Sequence, residues 1–188
     1  MRRVWLPALM IGLVLLSGCT GGKEIEERFS QARQELAGAS ELSFTAEITA
    51  DLGETVFACT LACIMDEEGT EMTVLSPDLA QGVVVRSDDG GATLSYDGLE
   101  LCVGQTGGVT PVGAVPVLTG ALLGGYAEGF YADTYEDTPA LCARIYIDEN
   151  THALIWLEEE TFTPLYGELV QDGTAAVRCR FSDFRASA

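Results

Sequence analysis

Residues 41–65 read ELSFTAEITADLGETVFACTLACIM, and this stretch decides the fold because its hydrophobicity alternates with a period of two. From Leu42 to Leu52 every second residue is apolar, and the residues between them are serine, threonine or acidic. Gly53 interrupts the pattern, which resumes at Phe57. Successive side chains of a strand point to opposite faces, so the pattern predicts two long neighbouring strands with one buried and one hydrated face.

The same alternation recurs along the rest of the chain in segments separated by turns. The clearest is ATLSYDGLELCVG at 92–104, in which Asp97-Gly98 predicts a two-residue hairpin turn of the primed type. Asp172-Gly173 predicts the last hairpin turn. The pattern predicts about eight to ten antiparallel strands in one large curved sheet, whose outer face is hydrated and whose concave face must be covered.

Two segments are available to cover that concave face. Residues 23–38 are predicted to form an amphipathic helix, and the glycine-rich and apolar segment 105–130 is predicted to form a helical or loop insertion. The predicted fold class is therefore α+β and mainly β, a half-open barrel with an N-terminal helix and a lid. Four apolar residues of the first segment recur at helical spacing: Ile25, Phe29, Ala32 and Leu36.

Residues 1–18 have the features of a bacterial lipoprotein signal peptide. Two arginines precede the apolar run 5–16, and the sequence LSGC that ends at Cys19 resembles the lipobox, whose cysteine receives a diacylglyceryl group and becomes the N-terminus after cleavage. We expect residues 19–23 to be a lipidated tether and 24–185 to be a single domain, held on the extracytoplasmic side of a bacterial cell membrane. An uncleaved membrane helix, or a signal in which Cys19 is incidental, remains an alternative.

The charge balance limits the partners. The chain has 29 acidic and 10 basic residues, a formal net charge of −19. Nucleic acid and anionic lipid headgroups are repelled by such a surface, so we expect no nucleic-acid partner and membrane attachment only through the N-terminal lipid.

The positions of the cysteines indicate packing in the core rather than a disulfide or a metal site. Cys59 and Cys63 lie on one predicted strand about 13 Å apart at roughly 3.3 Å per residue, too far for a disulfide or for a zinc site made by this pair alone. With Cys179 they are predicted to be small buried hydrophobic residues. Cys102 and Cys142 lie on the opposite faces of their strands, and a disulfide between them stays an open alternative for an exported protein.

Catalytic patterns are weak. His152 is the single histidine and is expected in a turn, and no phosphate loop, dinucleotide motif or calcium loop occurs. We therefore predict a protein that is not an enzyme and has no cofactor and no metal, with an exported hydrolase as the less favoured alternative. Both faces are apolar around Trp156, which indicates either a strand covered on both sides or an edge used for homodimerisation or partner docking.

Several stretches together resemble the lipoprotein-carrier superfamily of LolA, LolB, RseB and LppX. They are the N-terminal helix, the continuous meander, the strand that ends at Ser76-Pro77, LSYDGLEL at 94–101, and TPLYGEL at 163–169 with the later RFSDF. The resemblance implies a half-open barrel whose concave apolar face takes acyl chains or a partner, with helices as a lid. It also implies a cavity arginine, for which Arg86 is the candidate counterpart.

The resemblance is closest to clostridial germination lipoproteins of the GerS type, which implies assistance to a cell-wall amidase that processes the spore cortex. Two functions are therefore expected: binding of a lipid or other apolar ligand, or an accessory role in which the same concave face is filled by the protein's own side chains. The candidate concave-face residues are Phe44, Ile48, Phe57, Leu61, Met72, Val74, Leu94, Tyr96 and Leu101.

Overall fold

The computed structural model describes residues 21–51, 53, 55–88, 90–104 and 110–187. These residues form two α-helices, one 3-10 turn and eleven β-strands. In chain order the elements are α1 (Gly21–Ala37), β1 (Glu41–Asp51), β2 (Val56–Asp66), β3 (Gly69–Ser76), the 3-10 turn (Asp78–Ala80), β4 (Val84–Asp88), β5 (Gly91–Tyr96), β6 (Leu99–Gly104), α2 (Ala114–Gly124), β7 (Tyr126–Tyr135), β8 (Thr138–Tyr146), β9 (Thr151–Glu158), β10 (Pro164–Gln171) and β11 (Thr174–Ser187).

All these strands belong to one antiparallel sheet, in the order β6-β5-β4-β3-β2-β1-β11-β10-β9-β8-β7. The sheet consists of two meanders, which we call the N-terminal wing (β1–β6) and the C-terminal wing (β7–β11), joined where β1 pairs with β11. It is open, with β6 and β7 at its two edges. The predicted fold class, a mainly β half-open barrel with helices, is confirmed.

The period-two pattern places the core as predicted. Every second residue of β1 from Leu42 to Ala50 is buried, while Glu47 between them is exposed. On the next strand Cys63 lies opposite Phe44 and shares its face. The face that carries these buried residues is the concave face.

Both predicted hairpin turns are confirmed by the backbone. Asp97 and Gly98 have φ angles of 48° and 77°, and Asp172 and Gly173 have φ angles of 51° and 79°. Positive φ at both central residues is the geometry of a type I′ turn, whose twist matches that of the flanking strands.

The structure has eleven strands where eight to ten were expected, and β7 is the strand that the sequence pattern did not indicate. Its first residues fall within the segment 105–130 that was expected to form the lid. β7 is an edge strand, and its register against β8 shifts between Ala127 and Gly129, so a bulge breaks the alternation. Of its inward residues Phe130 is large, but Ala127 and Ala132 are small, which weakens the apolar signal further.

The predicted N-terminal helix is confirmed and begins two residues earlier than expected, at Gly21. Gly21, Gly22 and Lys23, which were assigned to the tether, therefore lie in its first turn. Phe29 on its apolar face is buried in the core. The proposed signal peptide 1–18 and Cys19 lie outside the described residues.

Within the described part of the chain, none of the helices is both long enough and apolar enough to cross a membrane.

Helix α2 covers the concave face of the C-terminal wing. It packs on β8–β11, and its Val115 and Leu118 are completely buried. Because α2 is apolar on most sides, it is enclosed by both the sheet and α1. The helix approaches closely at Gly167 of β10, where an added Cβ would lie 3.2 Å from Leu118 Cδ2. The absence of a side chain there allows the helix to seat on the sheet.

Arg33 of α1 joins the two helices. Its guanidinium donates hydrogen bonds to the carbonyl oxygens of Ala121, Leu122 and Gly125 at 3.0, 2.5 and 2.7 Å. These groups lie at the C-terminal end of α2, where a cation is favourable, and the Ala121 carbonyl also accepts a hydrogen bond from the Gly125 amide. Burial lowers the pKa of Arg33. Arg33 also lies over the Phe29 ring, 4.9 Å from its centroid.

Candidate ligand-binding face

The candidate concave-face residues all lie on one face of the N-terminal wing. Strand register shows this, because Met72 is opposite Cys63 and Leu61 is opposite Val74. At the far side of the wing, Leu94 is opposite Leu101. The structure therefore brings the predicted residues onto one surface, but some of them are buried and others are exposed to solvent.

Four of the candidates are part of the protein's own core. Phe44, Ile48, Leu61 and Met72 are at most 4% exposed. Phe44 is enclosed by aromatic rings of the C-terminal wing, with the Phe181 centroid at 5.6 Å and the Phe184 centroid at 5.4 Å. Side chains that are already covered in this way offer little surface to a ligand. They form the closed part of the concave face.

The other candidates remain accessible. Tyr96 and Leu101 are more than half exposed, Phe57 is exposed, and Val74 and Leu94 are half-buried. Apolar side chains so exposed on one sheet face are typical of a binding surface.

Two further residues of the accessible surface were not among the candidates. Leu99 and Val103 of β6 are 76% and 44% exposed and share the face of Leu101. The alternation in the hairpin 92–104 already placed them on this face, so the sequence contained the signal. We call the accessible surface the open trough: Phe57, Val74, Leu94, Tyr96, Leu99, Leu101 and Val103.

The trough is open because of where the helices lie. The contacts of α2 with the sheet are concentrated on β8–β11, and α1 packs on α2 and reaches Phe130 of β7 through Phe29. The helices seal the concave face of the C-terminal wing, whereas in the N-terminal wing buried residues such as Phe44 and Met72 adjoin exposed ones such as Leu101. Nothing in the trough is charged, so its chemistry suits an apolar chain and provides no ion pair for a headgroup.

A second concavity lies where the helices meet the ends of β1 and β2. This groove has a volume of about 600 Å³. Leu36, Leu42 and Met65 form its apolar wall, and Asp66 and Glu68 lie at its rim. It adjoins the concave face and widens the space between the helices and the sheet.

The cysteines are packed as predicted. Cys59, Cys63 and Cys179 are buried on the concave face. Burial, and then the charge of Cys59, raises the pKa of Cys63 to about 12. Burial also raises the pKa of Cys179. These thiols are therefore held in the neutral form.

The alternative disulfide is not formed, because Cys102 and Cys142 are both free. They lie on β6 and β8, in different wings of the sheet. Cys102 is exposed, whereas Cys142 is buried beside Tyr131 and Trp156, its partners in the strand register.

Two sequence-based placements are corrected by the structure, and one open alternative is decided. His152 lies in β9 rather than in a turn, and burial lowers its pKa. Arg86 lies on the convex face in an ion pair with Glu71 at 2.7 Å, so it is not a cavity arginine. Trp156 is on β9, between β8 and β10, so it is not on an edge strand. Across the described residues, no three His, Cys, Asp or Glu side chains cluster as a metal site.

Neither the family models nor the curated proteins gave a match to this sequence. Solved structures do match. A candidate outer membrane lipoprotein-sorting protein domain from Vibrio parahaemolyticus superposes with a TM-score of 0.50 at 11% identity, over 88% of this chain and 92% of that one. The chain therefore shares the overall fold of that lipoprotein-sorting protein domain.

Two other solved structures match with lower TM-scores. A LolA superfamily protein from Nitrosomonas europaea has a TM-score of 0.48 at 9% identity, over 86% of this chain and 93% of that chain. The GerS lipoprotein structure, solved in complex with the CwlD amidase of Clostridioides difficile, gives 0.45 at 13% identity, over 85% and 94%. At these identities the likeness concerns the fold alone, and an amidase partner stays a prediction.

Proposed function

We propose that the protein is a non-catalytic envelope lipoprotein that binds an acyl chain or similar apolar ligand in the open trough. The observation that carries this proposal is the exposure of Leu99 and Leu101, 76% and 61%, on the same concave face that is sealed elsewhere. A monomeric protein in water gains by burying such a patch, at about 25 cal/mol per Å² of apolar surface. An apolar chain laid across β2–β6 would supply that cover.

The negative net charge of the chain limits which lipid headgroups the ligand can have. The net charge of −19 repels anionic lipids, and the trough itself has no cation to pair with a phosphate. The proposed ligand is therefore an uncharged or cationic lipid. A diacylglyceryl group on Cys19 would hold the domain at the extracytoplasmic side of the membrane, close to the source of such a ligand.

The test uses the chain with Cys19→Ala, and Nile red as an uncharged apolar probe with a diacylglycerol as competitor. The double variant Leu99→Ser with Leu101→Ser is expected to weaken Nile red binding at least about tenfold, because it makes the exposed edge of the trough polar. Lipids extracted from the purified chain and identified by mass spectrometry give the natural occupant.

The matched control substitutes two exposed apolar residues of the same wing on its convex face. Ile64→Ser with Leu75→Ser changes the same number of apolar side chains without touching the trough. Equal losses in the two double variants, or no Nile red binding by the parent chain, would show that the trough is not the binding surface.

A further inference from the structure

Aromatic residues are concentrated on the convex face of the C-terminal wing. Tyr131, Trp156 and Tyr166 lie in one row across β7–β10, with Cys142 of β8 between the first two. The Trp156 and Tyr166 ring centroids are 5.3 Å apart. Tyr135 stacks on the other side of Tyr166 at 5.0 Å. We call this surface the convex patch.

A second pair of tyrosines continues the convex patch toward the other end of the strands. Tyr126 lies opposite Tyr146, and the two are 74% and 43% exposed. Tyr131 is 56% exposed. Five of the six tyrosines of the sequence are thus on this face of one wing. At corresponding places the convex face of the N-terminal wing has residues such as Thr73 and Thr93.

The arginines next to the convex patch already form ion pairs with glutamates. In the described structure Arg144 pairs with Glu128 at 2.8 Å, and Arg178 pairs with Glu168 at 3.4 Å. Arg180, at the margin, pairs similarly with a glutamate of the β7–β8 turn. The three arginines nearest the convex patch are therefore already paired with glutamates, and among the described residues Arg185, at the end of β11, is the exposed arginine of this face without an ion pair.

Carboxylates, in contrast, are available. Asp133 accepts a hydrogen bond from Trp156 Nε1 at 2.8 Å but has no cationic partner among the described residues. Next to Tyr146 a groove of about 330 Å³ is lined by four carboxylates, by Arg144, which is paired with one of them, and by His152. In the described part of the chain, the carboxylates of this groove without a cationic partner are those of Asp148, Glu149 and Asp172. Aromatic faces next to carboxylates form the environment that binds ammonium and guanidinium groups through cation–π and ionic contacts.

We infer that the convex patch docks a partner protein through a segment rich in lysine and arginine. Exposed tyrosines and a tryptophan provide large contact area at low entropic cost and are enriched at binding hot spots. A second copy of this chain, with its net charge of −19, is disfavoured by like-charge repulsion. A small molecule would be expected in a concave site rather than on an outward sheet face.

The experiment places the photo-crosslinker p-benzoylphenylalanine at Tyr131 and, separately, at Tyr146 of the full chain in the bacterium that produces it. A matched control places it at Glu100, which is exposed on the convex face of the N-terminal wing. We expect protein adducts from the first two positions and none from Glu100. Mass spectrometry should locate each adduct in a segment with an excess of lysine and arginine, and adduct yield from isolated membranes should fall at 0.5 M NaCl.

A second measurement uses the crosslinked segment as a synthetic peptide. Asp148→Asn with Asp172→Asn should weaken its binding to the purified chain about tenfold, because the change removes two carboxylates from the groove. Nile red binding should be unchanged, which shows that the variant is folded and separates this proposal from the trough. Adducts with a glycan, a lipid, a second copy of the chain or an acidic segment would overturn the inference, as would no adduct or equal yields at Glu100.

Discussion

The two wings have the same strand pattern, but they cover it differently. In the C-terminal wing the concave face is sealed by α2, and the convex face is shielded by aromatic residues such as Trp156. In the N-terminal wing the convex face mixes polar residues with a few exposed apolar ones such as Ile64, and the concave face ends in exposed side chains such as Leu101. Alternation therefore determines which side a residue faces, and the element that packs over that side, a helix or the other wing, determines whether the residue is buried.

This difference assigns separate tasks to the wings. The sealed wing contributes the part of the core that packs against the helices, and the inner strands of the N-terminal wing continue that core. The open wing leaves apolar surface unburied at a cost in stability, which is reasonable where that surface binds something. The predictions below test this division.

The largest effect is expected when a buried residue of α2 is truncated. Leu118→Ala should lower the free energy of unfolding by about 3 kcal/mol, because Leu118 is completely buried between α2 and β10 and the change leaves a cavity. The matched change Leu101→Ala in the open trough should cost less than about 0.5 kcal/mol. Urea unfolding followed by circular dichroism measures both, and similar losses would contradict the division between the wings.

The next contrast compares two convex-face thiols. Burial, followed by the charges of Asp133 and Glu168, raises the pKa of Cys142 to about 12, whereas Cys102 is exposed on the edge strand. In the Cys19→Ala chain, Ellman's reagent should modify Cys102 at least about fifty times faster than Cys142, because only accessible thiolate reacts. Peptide mapping of the labelled protein gives the two rates. Comparable rates would mean that the aromatic row leaves Cys142 uncovered.

A smaller effect is expected where the two helices are joined. Arg33→Met keeps the aliphatic stem but leaves the last carbonyls of α2 without their donor, and should cost about 2 kcal/mol. Arg86→Met removes an exposed ion pair of the N-terminal wing and should cost no more than about 0.5 kcal/mol. Urea unfolding measures the free energy of unfolding of both variants. Faster amide hydrogen exchange at the end of α2 is expected in Arg33→Met and not in Arg86→Met.

The sequence predicted the strands and their faces well because these depend on local alternation. Phe44 and Leu101 have the same pattern around them, yet one is core and the other is exposed. Phe44 is buried because β1 pairs with β11, which brings Phe181 and Phe184 over it from the far end of the chain. A local pattern contains no information about that contact, so the depth of each candidate residue could not be predicted.

The same limit applies to the polar contacts. Arg33 was not singled out because its partners are main-chain carbonyls about 90 residues away, which have no sequence signature. Strand β7 was missed because its bulge and its small inward residues obscure the period of two. Leu99, in contrast, is recognisable from the alternation of the hairpin 92–104, which places it on the same face as Leu101.

The smallest expected effect concerns the hydrogen bond that fixes Trp156 within the convex patch. The bond from Trp156 and then that from the Thr134 amide hold the pKa of Asp133 below its usual value. An aspartate whose folded pKa is depressed stabilises the protein at pH values above its unfolded pKa of about 3.9, and that contribution is lost as the pH falls through the folded value. In the Cys19→Ala chain with Trp5→Phe, Trp156 is the single tryptophan, and its fluorescence should change with a midpoint below about pH 3.9. The step should vanish in Asp133→Asn, whose amide does not titrate. A step that persists in that variant would show that acid unfolding, rather than this carboxylate, changes the environment of Trp156.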